Sequence, residues 1–174
     1  MNRSVSLAAL LSFTLLGAQA LQAQNWIDHR PNGGGYRVAF PAQPIEDGGR
    51  NVDTTIGAVK MRTSAVEIDG KIFMTIDSVY PSNLAMGDPE SDLDIVRDGG
   101  VQNVNGKLLS EERLSIDNAP ARRVVIDIPH SNQAAEALMV LDGHRLFQAV
   151  YLGPRDGQGK DEAKRFLSSF ALER

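Results

Sequence analysis

The sequence predicts an α+β fold, a mainly antiparallel β-sheet built from consecutive hairpins and covered by two helices. Three observations predict it. Asp-Gly pairs at 69–70 and 142–143 stand between β-prone runs, and an Asp-Gly pair supplies the positive φ values a tight hairpin turn needs. Val124-Val125-Ile126 and Leu138-Met139-Val140-Leu141 are apolar at consecutive positions, which predicts strands buried on both faces. Two stretches with helical character interrupt the strands, and these supply the cover.

In chain order, Tyr36–Phe40 is a short β-prone run closed by Pro41. The stretch from Val52 to Ile68 is long and broken near Gly57. It reads as two strands or one bent strand, joined through Asp69-Gly70 to Ile72–Tyr80. A helix follows from about Ser91 to about Asn103. Ser91 is placed to cap it, with Leu93, Val96, Val101 and Val104 facing inward. Gly99-Gly100 weakens that helix by up to about 1 kcal/mol per glycine. Lys107–Ile116 and Arg122–Ile128 form a hairpin through Asp117-Asn118-Ala119-Pro120. Ala135–Leu141 and Arg145–Leu152 form another through Asp142-Gly143. The last helix, Lys160–Phe170, places Ala163, Phe166, Leu167 and Phe170 on one stripe. Asp161 and Glu162 favour the positive end of its dipole.

The first 23 residues read as a cleavable signal peptide. Arg3 marks the n-region, Val5–Gly17 the apolar h-region, and Ala18-Gln19-Ala20 an A-x-A cut site, with Ala23 as a second choice. As a helix, Val5–Gly17 covers only about 20 Å of a ~30 Å hydrocarbon core, and no later run is long and apolar enough to span. Cleavage leaves 24–174 as a single domain of a size that can bury its own core. The chain has no cysteine. Disulfides, zinc-thiolate sites, cysteine nucleophiles and lipoprotein modification are therefore excluded. The expected address is periplasmic or secreted, with no membrane span after cleavage. The chain carries 18 basic and 22 acidic side chains. Arg3 is the only charge within 1–23, so the mature part is slightly more acidic still. The charges are interspersed and no basic run exists, which argues against nucleic acid as a partner.

Chemistry-bearing motifs are few. Asp88, Glu90, Asp92 and Asp94 form the one metal-like cluster, since calcium takes several carboxylate oxygens from a flexible loop. Counted from Asp88, the EF-hand glycine and glutamate positions hold Leu93 and Gly99. The cluster is read first as solvated charge at a helix start. His29, His130 and His144 lack the spacing of a helical metal pair, and His130 and His144 are expected at exposed loop edges. No G-x-S-x-G elbow is present. The stretch Gly153–Lys160 is one residue too long for a phosphate loop and carries Asp161 where a magnesium-binding hydroxyl belongs. Trp26 is the only tryptophan, and it is expected to anchor the mature amino terminus to the core. No catalytic residue and no cofactor are expected.

The pattern as a whole resembles the PsbP-like (Mog-type) family of small exported α+β proteins, which includes many uncharacterised bacterial members. The resemblance rests on Tyr36-Arg37-Val38-Ala39-Phe40-Pro41 with Pro44, Tyr80, and Gly106-Lys107-Leu108-Leu109-Ser110-Glu111-Glu112. It continues through the hairpin at Pro120, His144-Arg145-Leu146-Phe147-Gln148, and Arg165-Phe166-Leu167-Ser168-Ser169-Phe170. These are packing and turn patterns, and none is catalytic. The resemblance implies a sheet sandwiched by helices and used as a binding or assembly module. Family members include an extrinsic photosystem subunit and a binder of a nuclear GTPase, but no residues here match a binding motif of either. The first expectation is a non-enzymatic module that binds an envelope protein. A small-ligand or calcium binder using Asp88 to Asp94 comes second, and a hydrolase with spatially paired carboxylates third.

Overall fold

The computed structural model describes residues 25–54, 57–157 and 159–173. The expected signal peptide with its two cut sites lies outside the described residues. The fold is α+β, as the sequence predicts. Strands β1 (Ile27–His29), β2 (Tyr36–Phe40), β3 (Ile45–Glu46), β4 (Arg50–Thr54), β5 (Gly57–Ile68) and β6 (Lys71–Val79) precede helix α1 (Pro89–Asn103). Then come β7 (Lys107–Ile116), β8 (Ala119–Ile128), β9 (Gln133–Asp142), β10 (Arg145–Pro154), helix α2 (Lys160–Ser168) and β11 (Ala171–Leu172). The large sheet runs β3-β5-β6-β10-β9-β8-β7, with β4 also paired to β5, and every pairing is antiparallel. A small second sheet has the order β1-β2-β11.

Two turns show how local chemistry sets the register. Ile68 pairs with Lys71, leaving Asp69 and Gly70 as a two-residue turn with φ of 51° and 72°. That is the type I′ pattern. At the second Asp-Gly the structure corrects the expectation. Asp142 itself pairs with Arg145, so the turn residues are Gly143 and His144, and only Gly143 has positive φ, 58°. This is the type II′ pattern, in which glycine takes the first central position. The third hairpin is also tighter than expected. Asp117 and Asn118 turn alone, with φ of 49° and 70°, because short polar side chains tolerate the left-handed region. Pro120 lies within β8, one residue before the pairing with β9 begins at Ala121, where its missing N–H leaves no gap in that ladder.

Alternation along β8, β9 and β10 divides the core between the two sheet faces. One face carries Ala121, Leu138, Val140, Phe147, Ala149 and Tyr151. It is covered by β2 and by Ala163, Phe166 and Leu167 of α2. The other carries Val124, Ile126, Ala137, Met139, Leu141 and Leu146, covered by Leu93 of α1 with Val96, Val101 and Val104. Both-sided burial therefore follows from a helix on each face. Trp26 lies where the sequence expects an anchor. Its ring meets Phe73 edge-on at 6.0 Å, and the Arg165 guanidinium sits 4.6 Å from its centroid.

Helix ends differ from the sequence reading by a few residues, for stated reasons. Asp88, not Ser91, caps α1. Its Oδ2 accepts hydrogen bonds from the Ser91 N–H and hydroxyl, each at 3.0 Å, and Pro89 occupies the first turn, where a missing N–H costs nothing. Helix α2 stops at Ser168. The Ser169 hydroxyl donates to the Phe166 carbonyl at 2.6 Å and accepts from the Ala39 N–H at 2.8 Å. Phe170 then leaves the helix to stack on Tyr36 at 5.4 Å, and Ala171–Leu172 pairs with β2. The outer edge of β7 pairs with no strand among the described residues. It carries a bulge between Leu108 and Ser110 and the charges Glu111, Glu112 and Arg113, both devices that discourage edge pairing.

Candidate functional site

The structure places the four carboxylates singled out in the sequence in three different roles. Asp88 caps α1. Glu90 and Asp94 turn inward onto Arg122, whose side chain is fully buried at 0% exposure beneath the helix. Asp92 lies on the wall of a cavity at the start of α1. The helical period gives this split: residues 90 and 94, one turn apart, share the face over β8, whereas Asp92 lies about 200° round the helix from Glu90 and Asp88 is the cap before it. Among the described residues no three acidic or histidine side chains converge to hold a metal ion.

Arg122 is the polar centre of that face. It extends from β8, where residue parity aims it at α1. One guanidinium nitrogen meets both Asp94 and Glu111 in short contacts, and the other reaches the Glu90 carbonyl at 2.8 Å and carboxylate at 2.9 Å. Arg97 adds bonds to Asp94 at 2.8 Å and Glu111 at 2.7 Å. The Arg122 hydrogen bond holds the Asp94 carboxyl below its ordinary 3.8. Burial pushes Glu111 upward, but hydrogen bonds from Arg122 and Arg97 outweigh it and leave Glu111 below its ordinary 4.5. The unfolded chain therefore takes up these protons first as pH falls. The stability they contribute is complete above about pH 4.5 and is lost as pH drops through the lowered folded values. Thermal melts across this range should show the decline, and Glu111→Gln should flatten it. An identical acid profile in the variant would contradict the linkage.

The cavity has a volume of about 280 Å³. Leu93, Ile95 and Val96 of α1, Leu141 and Leu146 from the ends of β9 and β10, Tyr80, and the segment 84–87 line it. Its cover is pinned by the turn after β9. The Tyr80 N–H donates to the His144 carbonyl at 2.8 Å, and His144 Nε2 donates to the Leu84 carbonyl at 3.0 Å. His144 is thus half-buried and structural, a correction to the exposed loop edge expected for it. The sequence reading missed this because residue 84 lies 60 positions away. His130 is exposed, as expected. His29 is buried and bonds the Ser64 hydroxyl at 3.0 Å. Burial lowers its pKa against the opposing charge of Glu46. Within the cavity, Asp92 Oδ2 is buried and meets no hydrogen-bond donor. Burial raises the Tyr80 phenol pKa, and the nearby Asp92 charge raises it further.

Among the described residues Arg122 Nε, Arg123 Nε and Asp127 Oδ1 are likewise buried without a hydrogen-bond partner, the last of them in an ion pair with Arg155, whereas the buried Asp77 carboxylate is fully engaged. Arg145 grips the buried Asp77, with Nε at 2.6 Å, and Arg62 lies 3.4 Å from the same carboxylate. The glycines of 153–159 also have a packing reason. A methyl group on Gly153 or Gly159 would overlap the Tyr151 hydroxyl. The phenol is pushed up to about 12 by burial and by Glu162, Glu136 and Asp156. A wider depression of about 600 Å³ beside β3 and β5 includes Asp47 and Glu67. The Thr63 N–H bond at 2.9 Å is the main cause of Asp47's lowered pKa, reinforced by Gly49.

One antiparallel sheet with a helix on each face, plus a small three-stranded sheet on α2's side, is the PsbP-like α+β fold. The solution structure of cyanobacterial PsbP (CyanoP) from Synechocystis sp. PCC 6803 is similar to this chain, with a TM-score of 0.57 and 13% identity. The likeness covers 91% of this chain and 98% of that one. At that identity it is a likeness of fold. No family model and no curated protein matches the chain. No helix of the described residues is long and apolar enough to cross a membrane.

Proposed function

We propose that this is a non-enzymatic exported domain that binds a protein of the bacterial envelope, using the mouth of the cavity beside α1. The observation that carries the reading is an apolar cavity with Ile95 at its lip, 70% exposed. Large apolar side chains exposed beside a preformed concavity are the usual composition of a binding surface. Export is supported by the arrangement of residues 1–23, and the absence of cysteine is compatible with it. Catalysis has little support at this cavity, because Asp92 is the only carboxylate among the described residues that line it.

A photo-crosslinking amino acid at Ile95, expressed in the envelope, should give one discrete adduct. The same substitution at Ile45, exposed 81% on the far edge of the sheet, should give none. Absence of an adduct at Ile95, or equal diffuse labelling at both positions, would overturn the reading.

A further inference from the structure

We propose that the cavity beside α1 receives an apolar side chain of the partner protein that stands next to a lysine or arginine, and that Asp92 receives the cation. This rests on the binding reading above and deepens it. Three observations carry it.

The first is Asp92 itself. Its Oδ2 is buried on the cavity wall with no donor. A buried carboxylate oxygen without a hydrogen bond is unfavourable, and a charged donor relieves that state best. Among the described residues no arginine reaches it. Arg122 is occupied by Glu90, Asp94 and Glu111, and Arg97 by Asp94, Asp98 and Glu111.

The second is charge at the mouth. Those pairings leave Asp92 as the charged side chain on the cavity wall, with Asp88 as the cap at the start of the same helix. Asp88 is exposed and adds to the attraction for a cation. The other lining side chains are apolar apart from the Tyr80 phenol, so an apolar group can fill the space while the charge sits at its wall.

The third is size. A volume of about 280 Å³ lies just below the ~300–1,000 Å³ range of small-molecule sites. Ile95 continues the apolar surface outside the cavity. An occupant that fills the hole and also covers Ile95 must be larger than the hole. A polypeptide with one inserted side chain fits this shape, as an anchor residue does at a protein interface.

The test titrates the isotope-labelled purified protein, by NMR, with two six-residue capped peptides that differ in one position. Both contain leucine between glycines and serines, followed by lysine in one and glutamate in the other. The lysine peptide is expected to shift the amides of residues 84–96 and to bind at least about tenfold more tightly, since one charge-assisted hydrogen bond is worth that ratio. Asp92→Asn should bring the two peptides to equal affinity. Ile95→Ser should weaken both alike and keep the preference, and its dispersed spectrum provides a folded control. Equal affinities in the unmodified protein, no binding of either peptide, or shifts centred elsewhere would overturn the proposal. Butylammonium binding as tightly as the lysine peptide would also overturn it, by making the occupant a small cation. A crosslink at Ile95 together with equal peptide affinities would leave the binding reading standing and remove only the role of Asp92.

Discussion

Arg122→Ala is expected to destabilise the protein by about 3 kcal/mol, and to release α1 before the rest of the fold. Removing one member of a buried charge network commonly costs ~3–5 kcal/mol, because the charges left behind lose their partner. The lower end applies here. Arg122 is wholly covered, but Glu90, Asp94 and Glu111 keep 40%, 38% and 21% of their side-chain surface and can turn to water. The order of events follows from how α1 is held. Leu93 is its only fully buried residue, so apolar contact alone secures it weakly, and the Arg122 network ties it to both β8 and β7. Hydrogen exchange should therefore accelerate in α1 well below the global unfolding free energy. Arg122→Met separates packing from charge. It should lose nearly as much stability as the alanine variant, and Glu111→Gln should recover part of the loss in that background. A methionine variant as stable as the parent would show that the network adds nothing.

Phe166→Ala should cost about 3–5 kcal/mol, the range for truncating a fully buried phenylalanine. The ring is 0% exposed and packs at 5.1 Å from Phe40 and 5.5 Å from Phe73, joining α2 to the small sheet and the large sheet at once. A nine-residue helix has little stability of its own, so its loss should be global and cooperative. Urea denaturation should show a lower midpoint with an unchanged slope. Ile95→Ala, by contrast, should move the midpoint within about 0.5 kcal/mol of the parent, as exposed substitutions do. A loss at Phe166 no larger than that at Ile95 would contradict the packing described.

These two residues also mark what was legible. Phe166 could be read because periodicity is local. Ala163, Phe166, Leu167 and Phe170 announce one buried stripe whatever lies opposite. The three main hairpins were readable for the same reason, although the exact turn at Gly143-His144 was not. Nothing near Arg122 in sequence reveals its burial, since its partners lie 11, 28 and 32 residues away. One signal was present. Arg122 shares its strand face with Val124 and Ile126, so by alternation its side chain had to enter the same covered layer. Strands β1, β3 and β11 are two or three residues long, too short for alternation to show. The candidate site was half visible. Asp92 was singled out, but for a metal cluster that the geometry divides, and the cavity depends on His144 meeting Leu84 across the fold.

The large sheet is finished at both margins. On one side β3 and β4 together occupy most of the outer edge of β5. On the other, the bulge of β7 and its consecutive charges Glu111, Glu112 and Arg113 meet solvent. A sheet with one edge largely occupied and the other bulged and charged offers a poor template for further strands, which disfavours growth into fibrils by addition of copies. With the sheet margins blunted, the helix-bearing faces are the larger surfaces left for contact with other molecules.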